Sequence, residues 1–414
     1  MSKINENEVT SSLTWPTLET FVRQQVQHYL QQVLEEEVEA LLGRRKSARS
    51  TCDTPAGYRN GHGKPRQLAL LNGTIAVRRP RVRGLDERFV SRILPLFQRR
   101  TPEVAALLPE LYLHGLATGD FELALRGLLG DAAPLSASAV QRLTLDWQRQ
   151  YAAWKTRDLS TLDLVYVWAD GIYVKAGLET SKAALLVLIG GLADGTKVVL
   201  AVESGVREST ESWAMTLRDL TARGLRPPQL TCADGHLGIW GAVGQLWPTS
   251  AEQRCWNHKL RNIVDAVPLK AQSEVQLHVQ KIASADTRAD AERERKAFHR
   301  AYGPRYPKAC DRLDRDWDRM ITYYDFPQEH WRHLRTTNVV ESPFAAVRLR
   351  TSAAKRFKKV ENATAIIWRL LLVAESRFRK LNAPALCRAV FLGERYVNGQ
   401  PAVSSSTTPE KVAA

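Results

Sequence analysis

The 414-residue chain has no run of eighteen or more apolar residues, so no segment reads as a membrane-spanning helix. Cysteine is scarce. The five thiols, Cys52, Cys232, Cys255, Cys310 and Cys387, are scattered and odd in number, which excludes a disulfide scaffold and fits a reducing, cytoplasmic setting. The opening MSKINENEVTSS lacks the basic and apolar regions of a secretory leader, so export is not expected. Acidic residues are also in short supply: 44 Asp and Glu against 59 Lys and Arg leave a net charge of +15. Such a charge steers a chain toward a polyanion and gains from counterion release, so nucleic acid is the expected partner class. The shortage is sharpest between Glu329 and Glu361, where eight Lys or Arg share the interval with one carboxylate, Glu341, in RHLRTTNVVESPFAAVRLRT.

What is present organises the chain. Apolar residues from Leu18 to Leu41 recur at three- and four-residue spacing, which predicts one helix over 15–42 with Gly43 as its stop. That helix either pairs with a second copy or packs on its own domain. Asn60-Gly61 and Asn72-Gly73 read as turns, the second between the hairpin strands QLALL and TIAVR. The following RRPRVR, with Arg78, Arg79, Arg81 and Arg83, is a phosphate-contacting strand or an edge kept soluble by charge. TGDFELALRGLLG and SASAVQRLTLDWQRQY have helix-turn-helix proportions, with Gly130 and Pro134 in the turn and Ser136 or Ser138 as cap. Gln141, Arg142, Gln148 and Arg149 would then face a major groove.

From Leu162 the pattern turns to strands. LDLVYVWAD, AALLVLIGGL and TKVVLAVES are apolar and β-branched, the last two joined by Asp194-Gly195. A helix, the strand PQLTCAD, a second helix, a short strand AEQRCW and the basic helix NHKLRNIVDAV follow, which describes a mixed α/β sheet. Residues 270–334 show no strand pattern and read as ion-paired helices. The tail from Asn398 has low hydrophobicity and is expected to be disordered.

Asp170 ends the first apolar strand and Asp234 the fourth. A right-handed crossover through the intervening helix returns the fourth strand parallel to the first, which sets the two carboxylates side by side at the edge where α/β sheets build sites. Converging carboxylates repel, and oxygen donors suit Mg²⁺ or Mn²⁺. Each Asp precedes Gly, so a plain turn is the alternative. Asp234 is followed by a helical pattern, which disfavours a hairpin there, whereas GIYVKA after Asp170 continues a strand. Cys232, His236, Cys255 and His258 together invite a zinc site, but no other hallmark of structural zinc accompanies them. Local hydrogen bonding or packing by Cys255 fits better.

VWADGIYVK, CADGHLGIWGAV, QRCWNHKLRN and LRTTNVVES resemble, in the same order, the blocks of the Mutator-like transposases of bacterial insertion sequences. YRNGHGKPR, RRPRVRG and LYLHGLATGDFELALRGLLG are similar to that family's N-terminal blocks, so the resemblance covers about residues 15–395. It implies an RNase H-like mixed sheet interrupted by an all-helical insertion, with an Asp-Asp-Glu triad at Asp170, Asp234 and Glu341. It also implies that Cys255 and His258 match a Cys-x₂-His signature supporting the active site. Two Mg²⁺ or Mn²⁺ ions held by the three acids, Asp170 bridging, are the chemistry of phosphodiester transfer. As a structural alternative, Glu341 closes a capping box with Asn338, or Ser342-Pro343 caps the helix and leaves Glu341 outside it.

Arg254, Lys259, Arg261, Arg335, Arg348 and Arg350 flank these blocks and are candidates for holding phosphates. Trp317 and Trp331 either stack on an extruded base or belong to a helical core. The expected organisation is a helical dimerisation segment (1–57), a DNA-binding region with hairpin and helix-turn-helix (58–160), a catalytic core in two parts (161–268 and 335–397) around the insertion (269–334), and the tail (398–414). The expected activity is a nucleoid-associated transposase that binds terminal inverted repeats and target DNA as at least a dimer. An RNase H-like structure-specific nuclease and a non-enzymatic helix-turn-helix regulator are the rivals.

Overall fold

Helix α1 (Trp15–Leu42) ends where Gly43 takes φ +63, as its sequence predicts. One side of the helix buries Leu34 against Leu68, Ile75, Val77 and Leu94, with Val26 and Leu30 beside them, and Val38 one turn on is buried as well. Burial at roughly 1.5–3 kcal/mol per large apolar side chain makes this the seat of the helix on its own unit. Gln31 locks the register, since its amide donates to the Arg78 carbonyl at 2.7 Å and accepts from the Arg78 N–H at 2.9 Å. The computed structural model describes residues 14–48, 57–95, 99–116, 120–129, 137–177, 182–205, 207–235 and 237–402. They fall into two units, Met1–Leu143 and Thr144–Ala414.

In the first unit β1 (Tyr58–His62) pairs antiparallel with β4 (Pro80–Arg83), and β2 (Arg66–Leu70) with β3 (Gly73–Val77). The expected hairpin is present, with Leu71 and Asn72 at its turn and Gly73, φ +117, opening β3. Asn60-Gly61 is a correction. It lies inside β1, where the register against β4 shifts between Arg59 and His62 and Gly61 takes φ +62. A positive-φ glycine serves a β-bulge as well as a turn. Helices α2 (Pro102–Leu113), α3 (Phe121–Leu129) and α4 (Ala137–Lys155) follow. The turn expected between α3 and α4, with Gly130, Pro134 and Ser136, lies outside the described residues.

The second unit is mixed α/β. Its strands β5 (Leu164–Val174), β6 (Ala183–Leu192), β7 (Lys197–Gly205), β8 (Leu230–Ala233) and β9 (Ala251–Arg254) form one sheet in the order β7-β6-β5-β8-β9. β5, β6 and β7 are antiparallel neighbours, whereas β5, β8 and β9 run parallel. Asp194-Gly195 makes the β6–β7 turn, with Gly195 at φ +80 and Asp194 Oδ1 accepting from the Thr196 N–H at 2.9 Å. Between β7 and β8 lies α5 (Thr210–Ala222), capped by Ser209; between β8 and β9 lies α6 (Leu237–Leu246).

Strand alternation divides the sheet's faces. Val167 and Ala169 join the core built by Trp213 and Leu217 from α5, Trp240 and Val243 from α6, and Trp247 just past it. Tyr166 and Trp168 point the other way, Tyr166 OH to His330 Nδ1 at 2.8 Å and Trp168 Nε1 to the His333 carbonyl at 2.8 Å. The residues that cover this second face return from a stretch that is helical throughout. After α7 (Trp256–Val264) come α8 (Leu269–Ala283), α9 (Arg288–Tyr302), α10 (Pro307–Asp314), α11 (Trp317–Met320), two 3₁₀ turns and α12 (Trp331–Leu334). Ion pairs such as Lys281–Glu294 (3.0 Å) and Arg295–Asp314 (2.8 Å) lace these helices, as the charge pattern predicts.

The chain then forms α13 (Asn338–Glu341), α14 (Phe344–Ala354), α15 (Val360–Glu375) and α16 (Pro384–Phe391). The start of the tail is a second correction. β10 (Tyr396–Val397) and β11 (Gln400–Pro401) make a small hairpin, Asn398 Oδ1 accepts from the Arg288 N–H at 2.9 Å, and the Gly399 N–H donates to the Tyr324 carbonyl at 3.1 Å. Low hydrophobicity did not register these main-chain bonds. The rest of the tail, 403–414, lies outside the described residues.

Candidate active site

Three strands deliver a row of side chains. Trp168, Cys232 and Gln253 share one level across β5, β8 and β9. All three face the segment returning from the helical stretch, with Cys232 donating to the Leu334 carbonyl and Gln253 to the Met320 carbonyl, each at 3.2 Å. Two residues further along, on the same face, are Asp170, Asp234 and Cys255. Asp170 lies within β5, whereas Asp234 and Cys255 are the first residues past β8 and β9.

The glycine after each aspartate is a matter of room. Gly171 pairs with Leu186 in a continuing strand, and a Cβ there would lie 2.2 Å from the Glu208 carboxylate. A Cβ on Gly235 would lie 2.1 Å from the Arg254 guanidinium. The two N–H groups of these glycines donate to Asp170 Oδ1 and Asp234 Oδ1. Asp170-Gly171 is therefore not a turn.

Glu341 arrives from the covering segment. α13 is a single turn that begins after Thr337 and packs on β5 and β6. Asn338 is its first helical residue, not its cap, and Asn338 Oδ1 accepts from Asn257 Nδ2 at 2.9 Å, so the capping-box alternative does not hold. Pro343 cannot donate to the turn before it, and the helix restarts at Phe344. Glu341 Oε1 instead takes a hydrogen bond from the Thr337 hydroxyl.

His258, on the first turn of α7, stands between the acids. Its Nδ1 is 3.8 Å from Asp234 Oδ1 and 3.8 Å from Glu341 Oε1, and is buried with no hydrogen-bond partner of its own. The Cys255 sulfur beside the ring, with the charges of Asp234 and Glu341, pushes the imidazole up to about 9 against the pull of burial. Burial pushes the Asp170 carboxyl up to about 7. The Gly171 N–H and His258 oppose that rise, and Glu341 and Glu208 add to it. Donor atoms of Cys255, His258 and Glu341 lie within 4.8 Å of one another, a candidate metal site. Two carboxylates facing one imidazole nitrogen, with a third carboxyl, Asp170, whose burial disfavours its charged form, fit a divalent cation.

The other candidates divide by burial. Arg254 is buried and paired with Asp316 at 2.6 Å, and Lys259, 1% exposed, donates to the Arg315 carbonyl. Burial and the neighbouring Arg254 hold the Lys259 ammonium down to about 7. Both sit at the seam between β9, α7 and the helical stretch. Arg350 is buried, and Arg335 is half-buried with its guanidinium on the Ala283 carbonyl at 2.7 Å. Arg261 and Arg348 are exposed. Trp317 and Trp331 are core residues, Trp317 Nε1 bonded to Glu292 and Trp331 Nε1 to the Phe326 carbonyl at 2.9 Å. In the first unit Arg78, Arg81 and Arg83 are exposed and Arg79 is half-buried. On α4, Gln141, Arg142 and Arg149 are exposed, Arg149 lying 3.3 Å from Asp146, while Gln148 is held by Asn362 at 2.6 Å. Two polar residues escaped sequence reasoning, Thr337 and Glu208. Thr337 lies in the quoted LRTTNVVES, but only its burial at 0% exposure and its contacts with Cys255 and Glu341 mark it out.

Two acids at the carboxyl edge of neighbouring parallel strands, beside a candidate cation site of Cys255, His258 and Glu341, suit an α/β enzyme. The comparisons narrow the class. The sequence profile described as Transposase, Mutator family matches residues 3–380, and the chain belongs to that family of DNA-processing enzymes. It is 43% identical over 297 residues to the transposase for insertion sequence element IS6120 of Mycolicibacterium smegmatis, covering 72% of this chain and 92% of that one. It is 39% identical over 281 residues to the transposase for insertion sequence element IST2 of Acidithiobacillus ferrooxidans (67% and 95% of the two chains). With the transposase for insertion sequence element ISRM5 of Rhizobium meliloti (strain 1021), identity is 28% over 366 residues, 87% and 89% of the two chains. No helix among the described residues is long and apolar enough to cross a membrane.

Proposed function

We propose that this insertion sequence transposase binds the terminal inverted repeats of its element, hydrolyses one phosphodiester to expose a 3′-OH, and directs that hydroxyl onto target DNA at the same site. The supporting observation is the approach of Asp234 and Glu341 to one imidazole nitrogen, His258 Nδ1, beside the half-buried Asp170. The strand order β7-β6-β5-β8-β9, three antiparallel strands then two parallel additions, supports an RNase H-like core in two parts around the helical insertion. Two divalent cations, Mg²⁺ or Mn²⁺, held by Asp170, Asp234 and Glu341, would offset phosphate charge, activate the attacking water and stabilise the leaving oxygen.

The chain's own residues prepare that chemistry. Asp170 shares a proton with solvent near neutral pH and releases it as positive charge approaches. The His258 imidazolium balances Asp234 and Glu341, which lets the two acids stand close. Cys255 supports the site from behind Glu341. Exposed Arg261 and Arg348 hold the scissile strand's phosphates, and Arg78, Arg81, Arg83, Gln141, Arg142 and Arg149 hold the repeat. Two DNA ends must be held together, so the working species is at least a dimer. Leu18, Val22 and Tyr29, exposed on the face of α1 opposite Leu34 and Val38, are its contact. The protein acts in the cytoplasm, on the nucleoid.

Labelled terminal-repeat DNA with Mg²⁺ or Mn²⁺ tests this directly. Cleavage that leaves a 3′-OH, followed by joining to a target, is expected. Binding without cutting would make the protein a regulator; cutting of unrelated junctions or hybrids without joining would make it a nuclease.

A further inference from the structure

The surroundings of Glu341 assign a task to Cys255. Thr337 is polar, fully buried and placed at the start of α13. Its N–H donates to Cys255 Sγ at 3.3 Å, its Oγ1 lies 3.2 Å from the same sulfur, and its Oγ1 also bonds Glu341 Oε1. One hydroxyl proton serves one acceptor, and a carboxylate is the stronger. The Thr337 O–H therefore goes to Glu341, while the sulfur accepts the Thr337 N–H and stays in contact with Oγ1. Cys255 is fixed in turn, since its N–H donates to the Ala233 carbonyl at 2.8 Å, next to Asp234. A continuous chain of bonds thus runs from the strand end that carries Asp234 to the carboxylate of Glu341.

We propose that Cys255 and Thr337 form a positioning relay, with Thr337 orienting the Glu341 carboxylate and Cys255 anchoring Thr337 to the end of β8. The relay rests on Glu341 being a metal-holding acid. Its need follows from the local structure. A one-turn helix ended by a proline has little rigidity of its own, so the direction of Glu341 must be set by partners. The sulfur's two contacts with Thr337 are also why Cys255 acts here as a hydrogen-bonding group and not as a soft metal ligand, although His258 and Glu341 are within reach.

The test uses the full chain with Thr337→Val, Thr337→Ser, Cys255→Ser and Glu341→Gln. Mn²⁺ binding is followed by electron paramagnetic resonance without DNA, and cleavage of labelled terminal repeats across a Mn²⁺ titration. Loss of an outer partner of a ligating carboxylate costs about 10–100-fold in metal affinity or activity. Thr337→Val is expected to weaken Mn²⁺ binding by that factor, to regain cleavage at higher Mn²⁺, and to bind DNA as wild type does. Thr337→Ser and Cys255→Ser, which keep a hydroxyl in the chain of bonds, are expected to restore binding to within a few-fold. The relay is overturned if Thr337→Val binds Mn²⁺ and cuts normally, or if Thr337→Ser fails as badly as Val. Stoichiometric zinc in purified wild type, lost in Cys255→Ser, would also overturn it. If Glu341→Gln itself cuts normally, the assignment of the acid fails and the relay with it; if only Glu341→Gln is impaired, the relay alone fails.

Discussion

Removing the charge of Asp170 should stabilise the metal-free protein at alkaline pH. The Asp170 carboxyl is raised from 3.8 to about 7, first by burial and then by Glu341 and Glu208. The folded state therefore holds this proton more tightly than the unfolded chain. Stability from this group is complete below about pH 4, declines as pH rises toward 7, and is lost above it. At about 1.4 kcal/mol per pH unit, the span from 3.8 to about 7 sets a ceiling near 4 kcal/mol on the strain of ionising Asp170 without a cation. Asp170→Asn keeps the shape and removes the titration. In EDTA-treated protein followed by urea unfolding, the variant and wild type should unfold alike near pH 4. At pH 8 the variant should lead by about 2–4 kcal/mol. Added Mg²⁺ should then raise the wild-type midpoint at pH 8 and leave the variant's nearly unmoved, because a ligand stabilises only the state that binds it. A variant no more stable than wild type at pH 8, or one whose advantage is largest in acid, would refute the reasoning.

Three further outcomes follow from the geometry. Arg254→Ala removes the buried guanidinium from Asp316, leaving Arg319 at 3.5 Å beside that carboxylate, and should cost up to about 3–5 kcal/mol in urea unfolding while leaving the salt dependence of DNA binding unchanged; the reverse pattern would make Arg254 a phosphate ligand. Arg81→Ala with Arg83→Ala removes two exposed charges from one side of β4, so the slope of log affinity against log salt should flatten by about 1.8 for any duplex sequence, read by fluorescence anisotropy. Trp331→Ala empties a packed site among Tyr323 and Tyr324 and should cost about 3–5 kcal/mol; a stable variant with impaired cleavage would return Trp331 to base stacking.

Much of the core was legible because its physics is local. Apolar runs from Leu164 to Gly205 gave the antiparallel strands, and a helix pattern on each side of Asp234 implied a parallel return. Asp170 and Asp234 stand at neighbouring positions because the β5–β8 register pairs Ala169 with Ala233. Other features depend on distant partners. Arg254 and Lys259 look like surface cations in QRCWNHKLRN, yet Asp316 and the Arg315 carbonyl bury them from across the insertion. Trp317 is core because Glu292 takes its N–H and Arg295 lies over its ring at 4.5 Å. The direction of Glu341 was undecidable between two helix starts, since the backbone uses both, a turn from Asn338 and a fresh start after Pro343. Thr337 carries no signal in sequence beyond being one of two adjacent threonines, and only its contacts with Cys255 and Glu341 single it out.

The central claim is that Asp170, Asp234 and Glu341 are one site that cuts DNA. Its most direct measurement is cleavage and joining of labelled terminal-repeat ends in Mg²⁺ by Asp234→Asn and by Glu341→Gln, each beside wild type. Both variants should bind the ends as wild type does and neither should cut or join them. Wild-type rates from either variant would contradict the account.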